Sequence, residues 1–156
     1  MFKITILCIG KFKENYWKQA QAEYLKRLSP YAKVDIIEIK EEAFSSQNQK
    51  DVITKKEAEK LLSKIPQNTT VITLHEHAKQ KNSVAFSEFL SQLCAQGDHL
   101  CFVIGGPLGL HQDVLDASDH LLSFSELTFP HQMIRIILEE QLYRAITISK
   151  NKAYHY

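Results

Sequence analysis

The stretch CFVIGGPLGLHQDVL, residues 101–115, carries three of the chain's five glycines within five positions. Its upstream half completes HLCFVIGG (99–106), a run that is apolar through its centre, as parallel strands buried on both faces tend to be. Gly105, Gly106 and Gly109 then surround a proline, and a helix-like segment over 111–117 follows. Strand, glycine turn and helix in that order are the unit of an α/β sheet. A tight turn needs one glycine or two, whereas three around a proline also let another group approach bare backbone. Spacing alone leaves both readings open, turn or ligand cradle.

Working outward, the apolar period switches repeatedly between about two and about 3.6, the mark of alternating strands and helices. FKITILCIG (2–10), KVDIIEI (33–39), TTVITLHEH (69–77) and a short stretch at 120–124 read as further strands. ENYWKQAQAEYLKRL (14–28) has Trp17, Ala20, Tyr24, Leu25 and Leu28 near one stripe and stops before Ser29-Pro30. DVITKKEAEKLLSKI (51–65), SVAFSEFLSQLCAQG (83–97) and PHQMIRIILEEQLYRAI (130–146) read as helices, the last with Pro130 suited to its first turn. Residues 41–49 lack periodicity and read as a loop. Arg135 with Glu139, and Glu140 with Arg144, lie one turn apart as supporting ion pairs. The expectation is one α/β domain over 1–156, a parallel sheet covered on both faces. In such sheets ligands bind at the carboxyl ends of strands, which puts the loops after Leu74, Ile104 and Phe124 on one rim.

Bulk composition narrows the class further. The chain is 44% apolar and 24% charged, ordinary for a globular protein, with no apolar run approaching a membrane span. The opening MFKITILCIGK is charged too soon for a secretory signal and reads as a first strand. Cys8, Cys94 and Cys101 are an odd set without CxxC spacing, which fits a cytoplasmic protein with neither disulfide framework nor zinc site. A net charge of +1 hides a pattern: +4 over residues 1–40, −6 over 98–140 and +3 over the last sixteen residues. Basic ends flanking an acidic middle matter more to a polyanionic partner than the total does.

The segments able to carry chemistry are few. IGGPLGL lacks both the GxGxxG spacing of a dinucleotide site and the GK[ST] of a phosphate loop. SFSELTFPH (123–131) offers hydroxyls and helix-terminal amides, for a ligand or for capping alone. His75 and His77 in LHEH lack a third ligand at metal-binding spacing. The tail SKNKAYHY ends in Tyr154, His155 and Tyr156 after two lysines, a combination able to stack on unpaired bases and meet phosphates. Packing against the body or a partner subunit explains the tail as well. His131 is either a ligand contact or a helix-start surface residue, and no motif suggests a nucleophilic triad.

Together, FVIGGPLGL, LSFSELTFPHQMIRIILEEQLYRA, the closing AYH and the opening ITILCIGKFKENYW resemble the ribosomal RNA large-subunit methyltransferase H family, the smallest class of SPOUT methyltransferases. The resemblance covers the whole chain and is most specific from Leu122 onward. It implies a three-layer α/β domain whose C-terminal segment is threaded into a trefoil knot, a homodimer, and S-adenosylmethionine as cofactor. It further implies methylation of ring N3 of a pseudouridine in a 23S rRNA stem-loop at the subunit interface of assembled 70S ribosomes. Carried over by position, the cofactor touches Leu74, Gly105, Phe124, Ser125, Glu126, Leu127, Thr128 and Phe129. His155 or His131 is the candidate base or orienting donor, with Tyr154 and Arg144 positioning base and phosphate. The chain departs from the family pattern after the third strand, where Leu74 is followed by His75 instead of an acid, and Ala78 replaces a glycine. Two rivals stand beside this reading: a non-catalytic ribosome- or RNA-binding module of the same fold, and a doubly wound nucleotide or flavin domain, which the missing phosphate fingerprint disfavours.

Overall fold

A computed structural model describes residues 1–97 and 99–154. Five parallel strands form one sheet: β1 (Phe2–Ile9), β2 (Ala32–Ile39), β3 (Thr69–Leu74), β4 (His99–Ile104) and β5 (His120–Leu122), in the order β2-β1-β4-β3-β5. Five helices join and cover them: α1 (Asn15–Leu28), α2 (Lys50–Lys64), α3 (Ser83–Ala95), α4 (Gln112–Asp116) and α5 (His131–Ser149). Because every pairing is parallel, all five strands end on the same rim.

Side-chain alternation along the central strands divides the core. Ile4, Ile6 and Cys8 of β1, with Leu100, Phe102 and Ile104 of β4, pack against Leu28 of α1, Phe86 and Leu90 of α3, and Leu138 and Leu142 of α5. Leu7, Ile9, Cys101 and Val103 face the other way, onto Ala58 and Leu61 of α2 and Val114 of α4. Both faces are therefore covered, which is why β1 and β4 read as nearly continuous apolar runs. Burial pushes the Cys8 thiol up to about 11 and Cys101 up to about 12, so both stay protonated and serve as small apolar groups.

Four local details differ from the sequence expectation. The strand expected over 69–77 stops at Leu74, because its β5 partner is only three residues long. The His75 amide donates to the Leu122 carbonyl at 3.0 Å, and the chain then turns, with the Ala78 amide donating to the His75 carbonyl. The loop at 41–49 ends in a single 3₁₀ turn over Gln47–Gln49. Pro130 is the extended residue that precedes α5 and not its first helical position, and α5 runs on to Ser149. Finally, Arg135 and Glu139 are buried in the core and do not form a surface ion pair.

Candidate functional site

The carboxyl ends of β3, β4 and β5 open into a cleft of about 910 Å³. Its walls are the loop after Leu74, the glycine turn after Ile104, and the segment from Leu122 to Pro130. The loops after β3 and β5 are fastened to each other. The Ser123 amide donates to the Lys79 carbonyl at 3.2 Å, and Gln80 bridges Ser123 in parallel fashion. The Ser123 hydroxyl, buried, lies 2.9 Å from the Ser125 carbonyl and 3.2 Å from that of Glu76. Phe124 turns its ring edge-on to Phe86 of α3, with centroids 5.9 Å apart. Beyond it the Leu127 amide donates to the Ser125 hydroxyl at 3.0 Å, a serine turn that leads the chain toward α5.

The glycine turn closes on itself: the Gly109 amide donates to the Gly106 carbonyl at 3.0 Å, and Gly109 has φ +83°. A Cβ on Gly105 would stand 2.8 Å from Cγ of Leu110, and one on Gly106 would stand 2.9 Å from Cγ2 of Ile9. Side chains are thus excluded by the turn's own packing, and the bare backbone of Gly105 and Gly106 forms cleft wall as a consequence. Turn and cradle are one feature.

Of the eight positions expected to touch a cofactor, Leu74, Gly105, Phe124, Ser125, Leu127, Thr128 and Phe129 line the cleft. Glu126 is exposed and does not line it. His131 also lines the cleft; its Nε2 lies 3.9 Å from Glu41 Oε2, and burial lowers its pKa, with Glu41 opposing. The ring is therefore neutral near pH 7 and able to accept a proton. Arg144 and Tyr154 lie elsewhere. Arg144 donates to Glu140 at 2.6 Å, its guanidinium carbon is 5.0 Å from the Tyr154 ring centre, and the Tyr154 hydroxyl donates to Glu140 at 3.3 Å. Arg144 is thirteen residues along α5 from His131, about 20 Å at 1.5 Å per residue. The structure brings Arg144 and Tyr154 to each other but not to the cleft of their own chain. His155 lies outside the described residues.

Sequence reading missed Glu57, which is buried beside the glycine turn. Its Oε1 accepts from the Glu42 amide at 3.1 Å, Oε2 lies within 3.4 Å of where a Gly106 Cβ would stand, and burial raises its pKa. The available signal was its place between Ile53 and Leu61 on the inward stripe of α2.

The chain matches the sequence profile of the family described as predicted SPOUT methyltransferase over residues 2–155. The chain belongs to the SPOUT methyltransferase family. Its fold is similar to that of a methylase-family protein from Neisseria gonorrhoeae, with a TM-score of 0.55, 12% identity, and coverage of 91% of this chain and 82% of that one. SPOUT methyltransferases generally use S-adenosylmethionine. In this methyltransferase the cleft suits such a molecule on its own evidence. Its volume lies within the roughly 300–1,000 Å³ of small-molecule sites. Apolar Leu74, Leu122, Phe124 and Ile134 can flank a flat ring, while Ser125, Thr128 and the bare glycine backbone offer polar contacts for its ends. Among the described residues no three His, Cys, Asp or Glu side chains converge as a metal site, and no helix is long and apolar enough to cross a membrane.

Proposed function

We propose that this methyltransferase transfers a methyl group from S-adenosylmethionine to ring N3 of a pseudouridine in a 23S rRNA stem-loop, on assembled 70S ribosomes in the cytoplasm. The observation that carries the proposal is the fusion of three strand-end loops into one cleft, in a chain that matches the family from end to end. The bound sulfonium supplies an already electrophilic methyl group, so the protein's part is alignment and handling of one proton. Leu74, Gly105, Phe124, Ser125, Leu127, Thr128 and Phe129, which line the cleft, hold the cofactor. The N3 proton, weakly acidic, passes to the imidazole of His131, which lines the cleft, or to His155.

Arg144 and Tyr154 enter through a homodimer. Neither lines the cleft of its own chain, Arg144 standing ten residues along α5 beyond Ile134 of the cleft wall, about 15 Å, so in this reading they reach the reacting base from a second copy. There Arg144 would meet phosphate and Tyr154 the base. The trefoil knot belongs to the same reading.

Mass spectrometry of 23S rRNA from cells with and without this protein tests the proposal. One methyl on a pseudouridine disappears with the protein if it is right, and an unchanged rRNA overturns it. Calorimetric titration with S-adenosylmethionine separates the enzyme from a non-catalytic module of the same fold: heat and thermal stabilisation are expected, and their absence favours the module.

A further inference from the structure

One buried acid lies between the glycine turn and the loop that follows β2. The inward face of α2 buries Ile53, Thr54, Glu57, Ala58 and Leu61, and of these only Glu57 is ionisable. At 3% exposure Glu57 has given up nearly all of its water, a cost that a leucine in the same place would avoid. Burial raises its pKa accordingly, with the bond from the Glu42 amide opposing. Packing alone therefore does not account for an acid here, and its partners show what it holds.

Glu57 reaches two ways. Its Oε1 accepts from the Glu42 amide at 3.1 Å, while its Oε2 faces the glycine turn, 3.4 Å from where a Gly106 Cβ would stand. One turn along α2, Lys60 donates to the Glu42 carboxylate, so the helix grips that residue by backbone and by side chain. The grip carries the preceding residue, Glu41, to the end of β1. Glu41 Oε2 lies 3.9 Å from Nε2 of His131. A Cβ on Gly10 would stand 3.1 Å from that nitrogen and 3.6 Å from that oxygen. The His131 imidazole thus sits in a slot with the bare backbone of Gly10 on one side and Glu41 on the other. The Gly10 side is fixed by the sheet, its amide donating to the Ile39 carbonyl at 2.7 Å. The Glu41 side is loop, since residues 40–46 belong to no strand or helix.

We propose that Glu57 is a positioning residue for the methyl transfer: by holding the Glu42 amide it sets the Glu41 side of the slot, and so the place of the His131 imidazole in the cleft. The proposal rests on the reading of His131 as proton acceptor only for its effect on rate. Alignment of a proton acceptor is lost by displacements of about 1 Å, which an unheld loop would allow. A carboxyl suits the task because it offers the amide a strong acceptor from inside the core, where water cannot compete.

Amide hydrogen exchange on the unmodified protein tests the first link. The Glu42 amide should be protected on the order of 100-fold, and exchange at the rate of an open loop overturns the proposal. That measurement needs no variant, so it can overturn the proposal even where a substitution fails to fold. Glu57→Leu keeps the bulk of the side chain and removes the acceptor. In this variant the Glu42 protection should be lost and the His131 ring resonances should shift in spectra of histidine-labelled protein. On unmodified 70S ribosomes kcat should fall about ten-fold, with calorimetric affinity for S-adenosylmethionine held within about two-fold. Glu57→Gln retains an acceptor oxygen and should restore protection, resonances and rate together, which a simple repacking of the core would not do. Lost protection in Glu57→Gln as in Glu57→Leu overturns the proposal. Lost protection in Glu57→Leu with unmoved His131 resonances overturns it too, whatever the rate. Shifted resonances with an unchanged rate remove His131 from the proton step and leave its placement by Glu57 standing, so the two readings fail separately.

Discussion

Helix α5 carries two Arg–Glu pairs at the same one-turn spacing, and they have opposite fates. Glu140 and Arg144 meet at 2.6 Å with side chains 16% and 26% exposed. Arg135 and Glu139 are 3% and 0% exposed, and the approach of Arg135 Nε to Glu139 is only 3.9 Å. The better bonds of Arg135 go to other elements: Glu38 of β2 at 2.8 Å, Gln21 of α1 at 3.1 Å, and the Phe12 ring, 4.0 Å from its guanidinium carbon. Gln21 in turn donates to Glu139 at 2.6 Å, leaving Arg135 Nε and Glu139 Oε2 without partners. Burial pushes the Glu139 carboxyl up to about 7, against the pull of Gln21 and Arg135. The inner pair has dissolved into a brace tying α1, β2 and α5 together, one turn beyond the His131 wall of the cleft. The outer pair stays local and available to a substrate.

That contrast can be broken at several points. Arg135→Met has the largest expected effect, on the order of 3–5 kcal/mol of stability, because it strands Glu139 and Gln21 in the core. A lowered urea midpoint with unchanged slope is the expected signature; a loss under about 1 kcal/mol would show that the brace is dispensable. Glu139→Gln comes next and acts through pH. The native carboxyl holds its proton to about 7 where an unfolded one releases it near 4.5. Its stabilising effect is therefore complete below that value and fades as pH rises through about 7, a fall on the order of 3 kcal/mol. Urea titrations between about pH 5 and pH 8 should show that fall in the unmodified protein and a flatter profile in the variant. Parallel profiles would mean that Glu139 is ionised throughout.

Arg144→Ala sharpens the other side. Its stability cost should stay within about 1–2 kcal/mol, because the pair is only partly buried and keeps contact with solvent. Methylation should fall at least ten-fold, roughly, while calorimetric affinity for S-adenosylmethionine holds. Full activity in this variant would remove Arg144 from the reaction. Glu23→Gln is the smallest case: loss of the exposed pair with Arg27 should leave the urea midpoint where it was, and a measurable drop would mean that exposure is a poor guide on this surface.

Much of this architecture was legible before any coordinates. FKITILCIG already read as a strand, and the structure added which of its side chains face which helices. The glycines of 105–109 marked a turn, and the loops after Leu74, Ile104 and Phe124 were placed on one rim, where the cleft is found. Other features had a weak local signal or none. The spacing of Arg135 and Glu139 is the same as that of Glu140 and Arg144 read backwards, so both read alike as supporting ion pairs, with nothing in the spacing to mark which is buried. Glu57 reads as one more charge on a helix rich in lysine and glutamate.

What the sequence determined by itself was the order and periodicity of the elements, because turns, caps and apolar stripes depend on residues a few positions apart. It also concentrated three glycines at 105–109, whereas the close approach of Leu110 and Ile9 that leaves Gly105 and Gly106 no room for a side chain is seen only in the fold. Only the tertiary structure decided the strand order β2-β1-β4-β3-β5, the separation of Arg144 from the cleft, and which Arg–Glu pair was taken out of water. Those outcomes depend on which elements, up to 118 residues apart in the chain for Gln21 and Glu139, come to exclude solvent together.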